Sequence, residues 1–461
     1  MRPTIPLFAL AVLAASPAGA APPITLDEAL ATAAKANVDL KLAGTDRAGA
    51  DVEEYASWAG VLPRLDLQAQ FGNNYTASGK QLTITPVCSD PSGNCTSLQQ
   101  YGYATVAVAT PSSDFESYLL GLTLSVPLFD GFTSWARIAQ SEALARAASK
   151  QYDEASLTTS ATVTMRFYDV VRAERSMQVL EGAARRSEEL VRRTDALYEA
   201  GRAPRADTFA ARVTLGNDRI AVEQQRSRLN DARVALSYAI GRDADPELRV
   251  VVPPTLDGQA FLEPPQQVEL VDLAKQKRPL LAADAERVKA ARQDIRAAQG
   301  GYWPAISAQV SYTRQSPWLA GTYGVYGDIS QQYVASAGIT VNWNLFQGRT
   351  TSAAVQRANV SEQRATLQAE QALQQVTGEI ARARSSYVTL ARQAVLAEDN
   401  LHAAEENLRL AKTRFEAGAA TQLEISDALL KLTQSQLALL QARVDTIIAR
   451  ADLNRAVGGA L

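Results

Sequence analysis

The chain contains 461 residues, with 46 Lys and Arg against 49 Asp and Glu, one His, two Cys and a formal net charge of −3 at pH 7. This charge balance provides no basic surface for nucleic acid, so we expect no nucleic-acid partner. One His and two Cys supply almost no groups for metal binding or nucleophile–base chemistry, so we expect no catalytic residue, no metal and no cofactor.

Residues 1–20 have the three parts of a secretory signal peptide. Arg2 forms a short positive region, residues 5–15 are apolar, and residues 18–20 are an A-x-A cleavage site. The apolar run is too short for a membrane helix, which needs about 20 residues. No Cys follows the cleavage site, so the lipobox of a lipoprotein is absent. We therefore predict an exported chain whose mature form begins near Ala21.

Cys88 and Cys95 flank the segment 89–94, which is rich in turn-forming Asp, Pro, Ser, Gly and Asn residues. In an exported protein, two nearby Cys residues are best explained as a disulfide that pins this loop. A metal clip is the alternative, but no His or further Cys lies near them in the sequence.

The two halves of the chain share short motifs at a constant spacing. These are LFDG and LFQG ending at Gly131 and Gly348, YEAG and FEAG ending at Gly201 and Gly418, and AIG and AVG ending at Gly241 and Gly458. The separation is identical in all pairs, which predicts two long segments of matched length without insertions. Pro63 and Pro304, in the similar segments GVLPRLDLQAQF and GYWPAISAQVSY, are farther apart, so an insertion lies between Phe71 and Leu128.

This duplication predicts a domain organisation for the whole chain. We expect a signal peptide over 1–20, a first repeat over 21–245, a Pro-rich linker over 246–268 and a second repeat over 269–461. Each repeat is predicted to contain a helix, two strands and a long helical hairpin. The hairpin tips are expected near residues 201 and 418, so the fold class is mixed α and β.

Four segments alternate apolar residues with small or polar ones, as strands do. The longer segments are 120–128 and 333–345, and the shorter ones are 65–71 and 306–312. An antiparallel soluble sandwich would give similar alternation. Aromatic residues favour a membrane sheet, because they gather at these strands and their ends like interfacial girdles. They are Tyr75, Tyr118, Tyr302, Trp303, Tyr312, Trp318, Tyr333, Trp343 and Phe346.

Membrane insertion of such strands has a consequence for assembly. The chain after the signal peptide has no apolar stretch long enough for a membrane helix, so insertion requires a β-barrel. The smallest closed membrane barrels use about 8 strands. Four strands per chain therefore predict a barrel that is shared between subunits.

The segment from about Arg349 to Ala417 carries an unbroken heptad pattern and predicts one helix about 100 Å long. Its apolar seam comprises Leu373, Val376, Ile380, Ala383, Tyr387, Leu390, Ala394, Ala397, Leu401, Ala404, Leu408, Ala411 and Phe415. After Gly418, a second helix has two apolar stripes, one with Leu430 and Val444 and one with Ile425 and Leu439. Two stripes indicate helix contacts on both sides, as in a ring.

These motifs together resemble the TolC family of outer-membrane export proteins. The resemblance covers nearly the whole mature chain, from the opening LDEALATAAKAN through Pro63 and Pro304 to the LFDG/LFQG corners and the YEAG/FEAG tips. Each motif is weak alone, whereas their order, spacing and duplication together are specific to the family.

The resemblance implies an architecture, a location and a set of partners. Three subunits would each give four strands to a shared 12-stranded outer-membrane β-barrel, which continues as a long periplasmic α-helical barrel. The homotrimer would contact outer-membrane lipid, a periplasmic adaptor protein and an inner-membrane RND or ABC transporter. The implied function is the channel-tunnel of a tripartite efflux pump or a type I secretion system.

The resemblance also assigns residues to the periplasmic end of that duct. Gly201, Arg202, Asp207 and Gly418 would form the hairpin tips and the adaptor contact. Acidic residues just after the second tip line the narrowest constriction in family members. Aligned from Gly418, these are Glu424 and Asp427, and a threefold ring of them would attract cations. The other interpretation is that both are ordinary acids in the first turns of a helix, stabilised by its dipole.

Two positions depart from the family pattern at the tips. The Tyr that helps to latch the closed state is Phe415 here, and the latch Arg is Ala420. The facing acid is retained as Asp207. We therefore expect closure to depend on other pairs, with Arg202 and Arg205 as the candidates.

Two other function classes compete with an export duct. A structural periplasm-spanning or surface coiled coil explains the heptads but not the four aromatic-flanked strands. An outer-membrane enzyme would need a catalytic constellation, and neither a GxSxG motif nor a Ser/His/Asp grouping surrounds His402, the single His.

Overall fold

The computed structural model describes residues 23–89, 91–97, 101–254, 263–330, 333–417 and 419–459. The predicted signal peptide, its cleavage site and the tip residue Gly418 lie outside these residues. The helices are α1 (Leu26–Ala36), α2 (Val38–Ser57), α3 (Thr133–Glu199), α4 (Arg205–Ala239), α5 (Gln267–Lys277), α6 (Pro279–Gln299), α7 (Thr350–Glu416) and α8 (Gln422–Val457). The strands are β1 (Arg64–Thr76), β2 (Gly79–Cys88), β3 (Tyr101–Thr110), β4 (Ser113–Phe129), β5 (Ala305–Ser316) and β6 (Tyr333–Asn342).

The described chain divides into two compact units. The helical unit comprises the described residues up to 53, together with 142–290 and 362 onwards. The sheet unit comprises residues 54–141 and 291–361. None of the helices in the described part of the chain combines the length and apolarity that a membrane span requires.

The sheet unit contains a four-stranded antiparallel sheet in the order β1-β4-β5-β6. β1 pairs with β4 from Arg64 opposite Ser125 to Thr76 opposite Ser113. β5 pairs with β4 on one side and with β6 on the other. The outer strands β1 and β6 are therefore the two edges of this sheet.

The register divides this sheet into two chemically different faces. One face is apolar across all four strands, with aligned rows such as Leu67–Leu122–Tyr312–Ala335 and Leu65–Leu124–Val310–Ala337. The opposite face carries mainly small and polar side chains, as in the row Asp66–Thr123–Ser311–Ser336. Large apolar side chains on the first face are exposed, for example Leu67 at 70% and Ile339 at 69%. Each of the four segments predicted to alternate lies largely within one of these strands.

The insertion in the first half differs from the sequence prediction of a turn-rich loop. It contains two further strands, β2 and β3, which form a separate two-stranded sheet. Pro86 lies within β2 opposite Tyr103, which a two-stranded sheet tolerates because each strand has an open side. The first repeat therefore contains β1, β2, β3 and β4, where the sequence analysis predicted two strands.

The last predicted strand is also shorter than its alternation. The pattern continues to Leu345, but β6 ends at Asn342. Asn342 pairs with Ala305, the first residue of β5, so the residues beyond it have no partner there. Pro304, which precedes Ala305 and lacks an amide hydrogen, explains why the ladder stops.

The helical unit contains the two long helices and their shorter partners. α3 and α7 have 67 residues each, so each is about 100 Å long. Every position of the predicted α7 seam is buried or half-buried, which confirms the heptad prediction. Val376 and Ile380 pack with Leu453 of α8, and Leu408 packs with Ile425 nearer the hairpin turn.

The corners between strand and long helix have an unusual backbone in both halves. Gly131 and Phe132 have φ values of 69° and 66°, and Gly348 and Arg349 have φ values of 58° and 70°. A Cβ atom at Gly131 would lie 2.5 Å from the carbonyl oxygen of Gly300. Only glycine fits there, which explains the glycine of the LFDG motif.

A buried arginine contacts three helices of the helical unit. Arg278, between α5 and α6, is 2% exposed. Its guanidinium contacts Glu154 of α3 at 2.9 Å and Glu379 of α7 at 3.2 Å, and donates to the carbonyl oxygen of Ala456 of α8 at 2.8 Å. These bonds compensate for the loss of water around the charge.

Candidate functional site

The first helical hairpin turns at Gly201, whose φ of 69° is left-handed. The amide of Gly201 donates to the carbonyl of Tyr198 at 2.9 Å, and that of Arg202 donates to the carbonyl of Leu197 at 2.8 Å. These bonds satisfy the last carbonyls of α3, so the helix ends here. Asp207 lies in the first turn of α4, where its negative charge suits the helix dipole.

The second hairpin turns between α7 and α8, around Gly418. The amide of Ala419 donates to the carbonyl of Arg414 at 2.8 Å and ends α7. Thr421 begins α8 as its N-cap, because its hydroxyl accepts a hydrogen bond from the amide of Glu424 at 3.3 Å. The sequence-predicted tip is therefore a well-capped turn at its described positions.

The two predicted constriction acids lie on the exposed side of α8. Ile425 and Leu429 on the other side of this helix are buried against α3 and α7. The side chains of Glu424 and Asp427 are 44% and 51% exposed and face away from that core. Both carboxylates are therefore accessible to solvent, ions or a partner on this side of α8.

Each of these acids has a basic partner that the sequence analysis missed. Arg414 approaches Glu424 at 3.6 Å across the turn, and Lys431 contacts Asp427 at 2.7 Å. The second pair has i,i+4 spacing, so the sequence contained a signal for it. The first pair depends on the turn and had none. Both pairs are exposed, so each contributes about 0–1 kcal/mol and opens easily.

A further missed residue, Arg193 of α3, joins the two hairpins near their ends. Its guanidinium lies 5.2 Å from the ring centroid of Phe415 and 3.5 Å from a carboxylate oxygen of Glu416. Phe415, at the position where the sequence resemblance implied a latch Tyr, therefore holds a cation–π contact that needs no hydroxyl. Of the arginines predicted to assist closure, Arg205 lies over the ring of Phe209, 5.5 Å from its centroid.

The predicted disulfide lies in the other unit. Cys88 ends β2 and is bonded to Cys95, with Cα atoms 5.7 Å apart. The bond closes a short loop at the end of the β2–β3 pair where β2 ends, as the turn-rich sequence indicates.

The arrangement at the hairpin tips provides exposed charge and apolar contact. Within the described residues, no cluster of three or more His, Cys, Asp and Glu side chains could hold a metal ion. His402 is exposed on α7 and lies 3.8 Å from Glu405. The groups at the tips can attract ions and bind helices.

Comparisons with known proteins agree with this architecture. BepC, an outer membrane efflux protein of Brucella suis biovar 1, is 25% identical over 76% of this chain and 74% of its own length. The proteases secretion protein PrtF of Dickeya chrysanthemi is 23% identical over 90% of this chain and 84% of its own.

Solved structures share the fold over nearly the whole chain. The CmeC outer membrane channel of Campylobacter jejuni matches with a TM-score of 0.74 at 17% identity, over 94% of this chain and 85% of that one. The MtrE outer membrane channel of Neisseria gonorrhoeae in its open state also gives 0.74, at 21% identity, over 94% and 89%. The sequence profile described as "Outer membrane efflux protein" matches residues 29–242 and 270–459, one segment in each half. The chain therefore belongs to the outer membrane efflux protein family.

Proposed function

We propose that the chain is the outer-membrane channel-tunnel subunit of a tripartite efflux pump or type I secretion system, and that it works as a homotrimer. The observation that carries this proposal is the four-stranded sheet with one exposed apolar face and two edge strands. Family membership supports transport, and the names of BepC and PrtF point to efflux and to protease secretion respectively.

The sheet supports assembly in lipid. A row of large apolar side chains exposed to water is unfavourable by about 25 cal/mol per Å², whereas lipid accommodates it. The edge strands β1 and β6 present unpaired backbone groups that lipid cannot satisfy. Joining β6 of one copy to β1 of the next removes both edges, and three copies give a closed sheet of twelve strands.

The helical unit supports the same assembly through an exposed stripe on α4. Phe209, Val213 and Ile220 are 52%, 63% and 58% exposed and recur at helical spacing. Beside them, α4 has an arginine at every seventh position, at Arg205, Arg212, Arg219 and Arg226. An apolar seam with a basic flank suits a partner helix with an apolar seam and an acidic flank.

The exposed side of α7 has that complementary character. Leu396 and Leu410 are 61% and 48% exposed, and Asp399 and Glu406 lie beside them. Counted from Gly201 and Gly418, Arg219 of α4 and Asp399 of α7 lie 18 and 19 residues away, which are similar distances along their helices. In antiparallel helices of neighbouring copies they would therefore lie at the same level.

This geometry sets an experiment with a matched rescue. Multi-angle light scattering with detergent subtraction should give a trimer for the wild type. The single variants Arg219→Glu and Asp399→Arg should each lower the temperature at which the trimer dissociates, because each places like charges opposite each other. The double variant should recover that temperature, and Lys412→Glu, on a different face of α7, should change it little.

Two outcomes would contradict the assembly. If the wild type is a monodisperse monomer, both the trimer and the sheet shared between subunits are refuted. A double variant that is additive, with no recovery, shows that α4 and α7 of neighbouring copies do not meet in this register.

The remaining parts of the proposal concern the path and the partners. We place the predicted constriction at Glu424 and Asp427, with the tips at Arg202 and Asp207 as the contact for a periplasmic adaptor protein. An RND or ABC transporter in the inner membrane would supply the cargo. The sequence of residues 1–20 would direct export, and the mature protein would lie in the outer membrane with a large periplasmic part.

A further inference from the structure

A cavity of about 430 Å³ lies between α3 and α8 in the helical unit, with one residue of α7 at its wall. Its size suits a small organic ligand, since such pockets usually measure about 300–1,000 Å³. The charged residues of its wall are Arg175, Arg185, Arg186 and Arg443, and the remainder are Gln178, Val179, Gly182, Leu401, Gln436, Leu439 and Leu440. The wall thus combines cationic groups with an apolar floor and contains no acidic residue.

Two of the arginines converge although their charges repel. A Cβ atom added at Gly182 would lie 3.3 Å from Nη1 of Arg186 and 4.0 Å from Nη2 of Arg185. Both guanidinium groups therefore lie close above one point of α3, where glycine leaves room for them. Like charges held this close lower each other's stability unless an anion lies between them.

Of the two arginines, Arg186 has the greater need of an anionic partner, because it is partly buried. Its Nη2 donates to the hydroxyl of Thr433 at 3.3 Å, while its Nε is buried and has no hydrogen-bond partner among the described residues. Burial lowers the pKa of the Arg186 guanidinium, and the nearby Asp218 only partly opposes this. A buried donor without an acceptor costs about 1–3 kcal/mol, so a bound anion would relieve a real penalty.

Two acidic side chains, Glu398 and Asp218, lie near the arginines of the cavity. Glu398 contacts Arg443 at 3.2 Å, and Asp218 accepts a hydrogen bond from Ser187. The floor nearby is apolar, with Leu439 only 7% exposed.

We propose that this cavity binds a small organic anion with an apolar body, such as an aryl sulfonate or aryl carboxylate. The anionic group would lie between Arg185 and Arg186 above Gly182, where planar guanidinium groups can donate two bonds to one oxyanion. The apolar body would lie against Val179 and Leu439. This site is separate from the hairpin tips and adds a ligand class to the proposed channel.

The test is isothermal titration calorimetry of the full-length trimer in a non-ionic detergent. The probe is naphthalene-2-sulfonate, compared with inorganic phosphate and with the cation 2-naphthyltrimethylammonium. We expect saturable binding of the sulfonate, weaker binding of phosphate because it lacks the apolar body, and none of the cation.

Two variants and a control locate the binding. Arg185→Gln/Arg186→Gln should weaken sulfonate binding at least tenfold. Gly182→Leu should do the same while keeping every arginine, because its side chain would occupy the space between the guanidinium groups. The matched control Arg192→Gln/Arg409→Gln, which removes two exposed arginines outside the cavity, should bind as the wild type does.

Three results would overturn the proposal. Equal sulfonate affinity in Arg185→Gln/Arg186→Gln and wild type places the binding elsewhere. Equal affinity for the naphthyl cation shows that charge does not select the ligand. Loss of the trimer in that double variant shows that the two arginines pair with a neighbouring subunit instead. Channel conductance does not enter these readouts, so they are independent of the transport proposal.

Discussion

Replacing the buried Arg278 with Met is expected to destabilise the helical unit more than the loss of any exposed ion pair. The guanidinium, 2% exposed, is held by Glu154, Glu379 and the carbonyl of Ala456. Met has a similar length and fills the space, so packing changes little. What is lost is the cation that pairs with Glu154, which is 16% exposed, and the nearer of two arginines at Glu379, which is 33% exposed and also lies 3.8 Å from Arg455.

The magnitude follows from what the substitution leaves behind. Removing one partner of a buried ion pair costs about 3–5 kcal/mol, because the remaining charge is desolvated without compensation. The carbonyl of Ala456 also loses its donor, which adds about 1–3 kcal/mol where no water reaches it. Partial exposure of Glu379 reduces the total, so we expect about 3–5 kcal/mol.

The assay is the apparent melting temperature of the detergent-solubilised trimer, compared at one heating rate because such proteins unfold irreversibly. Arg409→Met is the matched control: Arg409 pairs with Glu406 at 2.6 Å, but the pair is exposed and is worth about 0–1 kcal/mol. The triple variant Arg278→Met/Glu154→Gln/Glu379→Gln should recover much of the loss, since neither position 154 nor position 379 then carries a charge that needs Arg278. A melting temperature for Arg278→Met equal to that of Arg409→Met would refute this reasoning.

Three further predictions concern the loop, the constriction and the response to pH. Cys88 and Cys95 should not react with maleimide before reduction, and Cys88→Ser/Cys95→Ser should leave export intact; loss of export would reveal a role for the loop. Glu424→Ala/Asp427→Ala should abolish block of the channel by divalent cations from the periplasmic side and reduce its cation selectivity in planar bilayers. Trimer stability should be nearly unchanged, because the ion pairs of these two acids are exposed. An unchanged block would exclude both acids from the constriction. Burial raises the pKa of Asp452 in the folded protein. Above this raised pKa, the ionised carboxylate lowers the free energy of unfolding. Below the ordinary Asp pKa of about 4, the carboxyl is neutral in both states and this destabilisation is absent. Asp452→Asn should therefore raise the melting temperature at pH 7 and have no effect near pH 3, and a lower melting temperature at pH 7 would contradict the burial argument.

The regular elements could be predicted because their periodicity is long and local. The α7 seam from Leu373 to Phe415 is buried or half-buried at every position, as its heptads indicate. Alternation identified the four strands of the larger sheet. Their ends were less certain, because β6 stops at Asn342 where its partner strand begins, and no pattern within β6 records that limit.

The elements and contacts that the sequence did not reveal depend on distant residues. The strands β2 and β3 were missed because Pro86 interrupts one and small residues occur on both faces of the other. Arg278 gave no signal, since Glu154 and Glu379 are far away in the chain. The sequence also contained no signal for the contact between Arg193 and Phe415, because these two residues meet only where α3 packs against α7.

The central claim, that this chain forms a transport channel in the outer membrane, is tested most directly by single-channel recording. Purified trimers, collected at the trimer position in size exclusion, would be added to a planar lipid bilayer in symmetrical salt. The account predicts discrete conductance steps whose number follows the trimer added, with cations favoured over anions under a salt gradient. Folded trimers that insert without conductance, or that conduct anions preferentially, would contradict it.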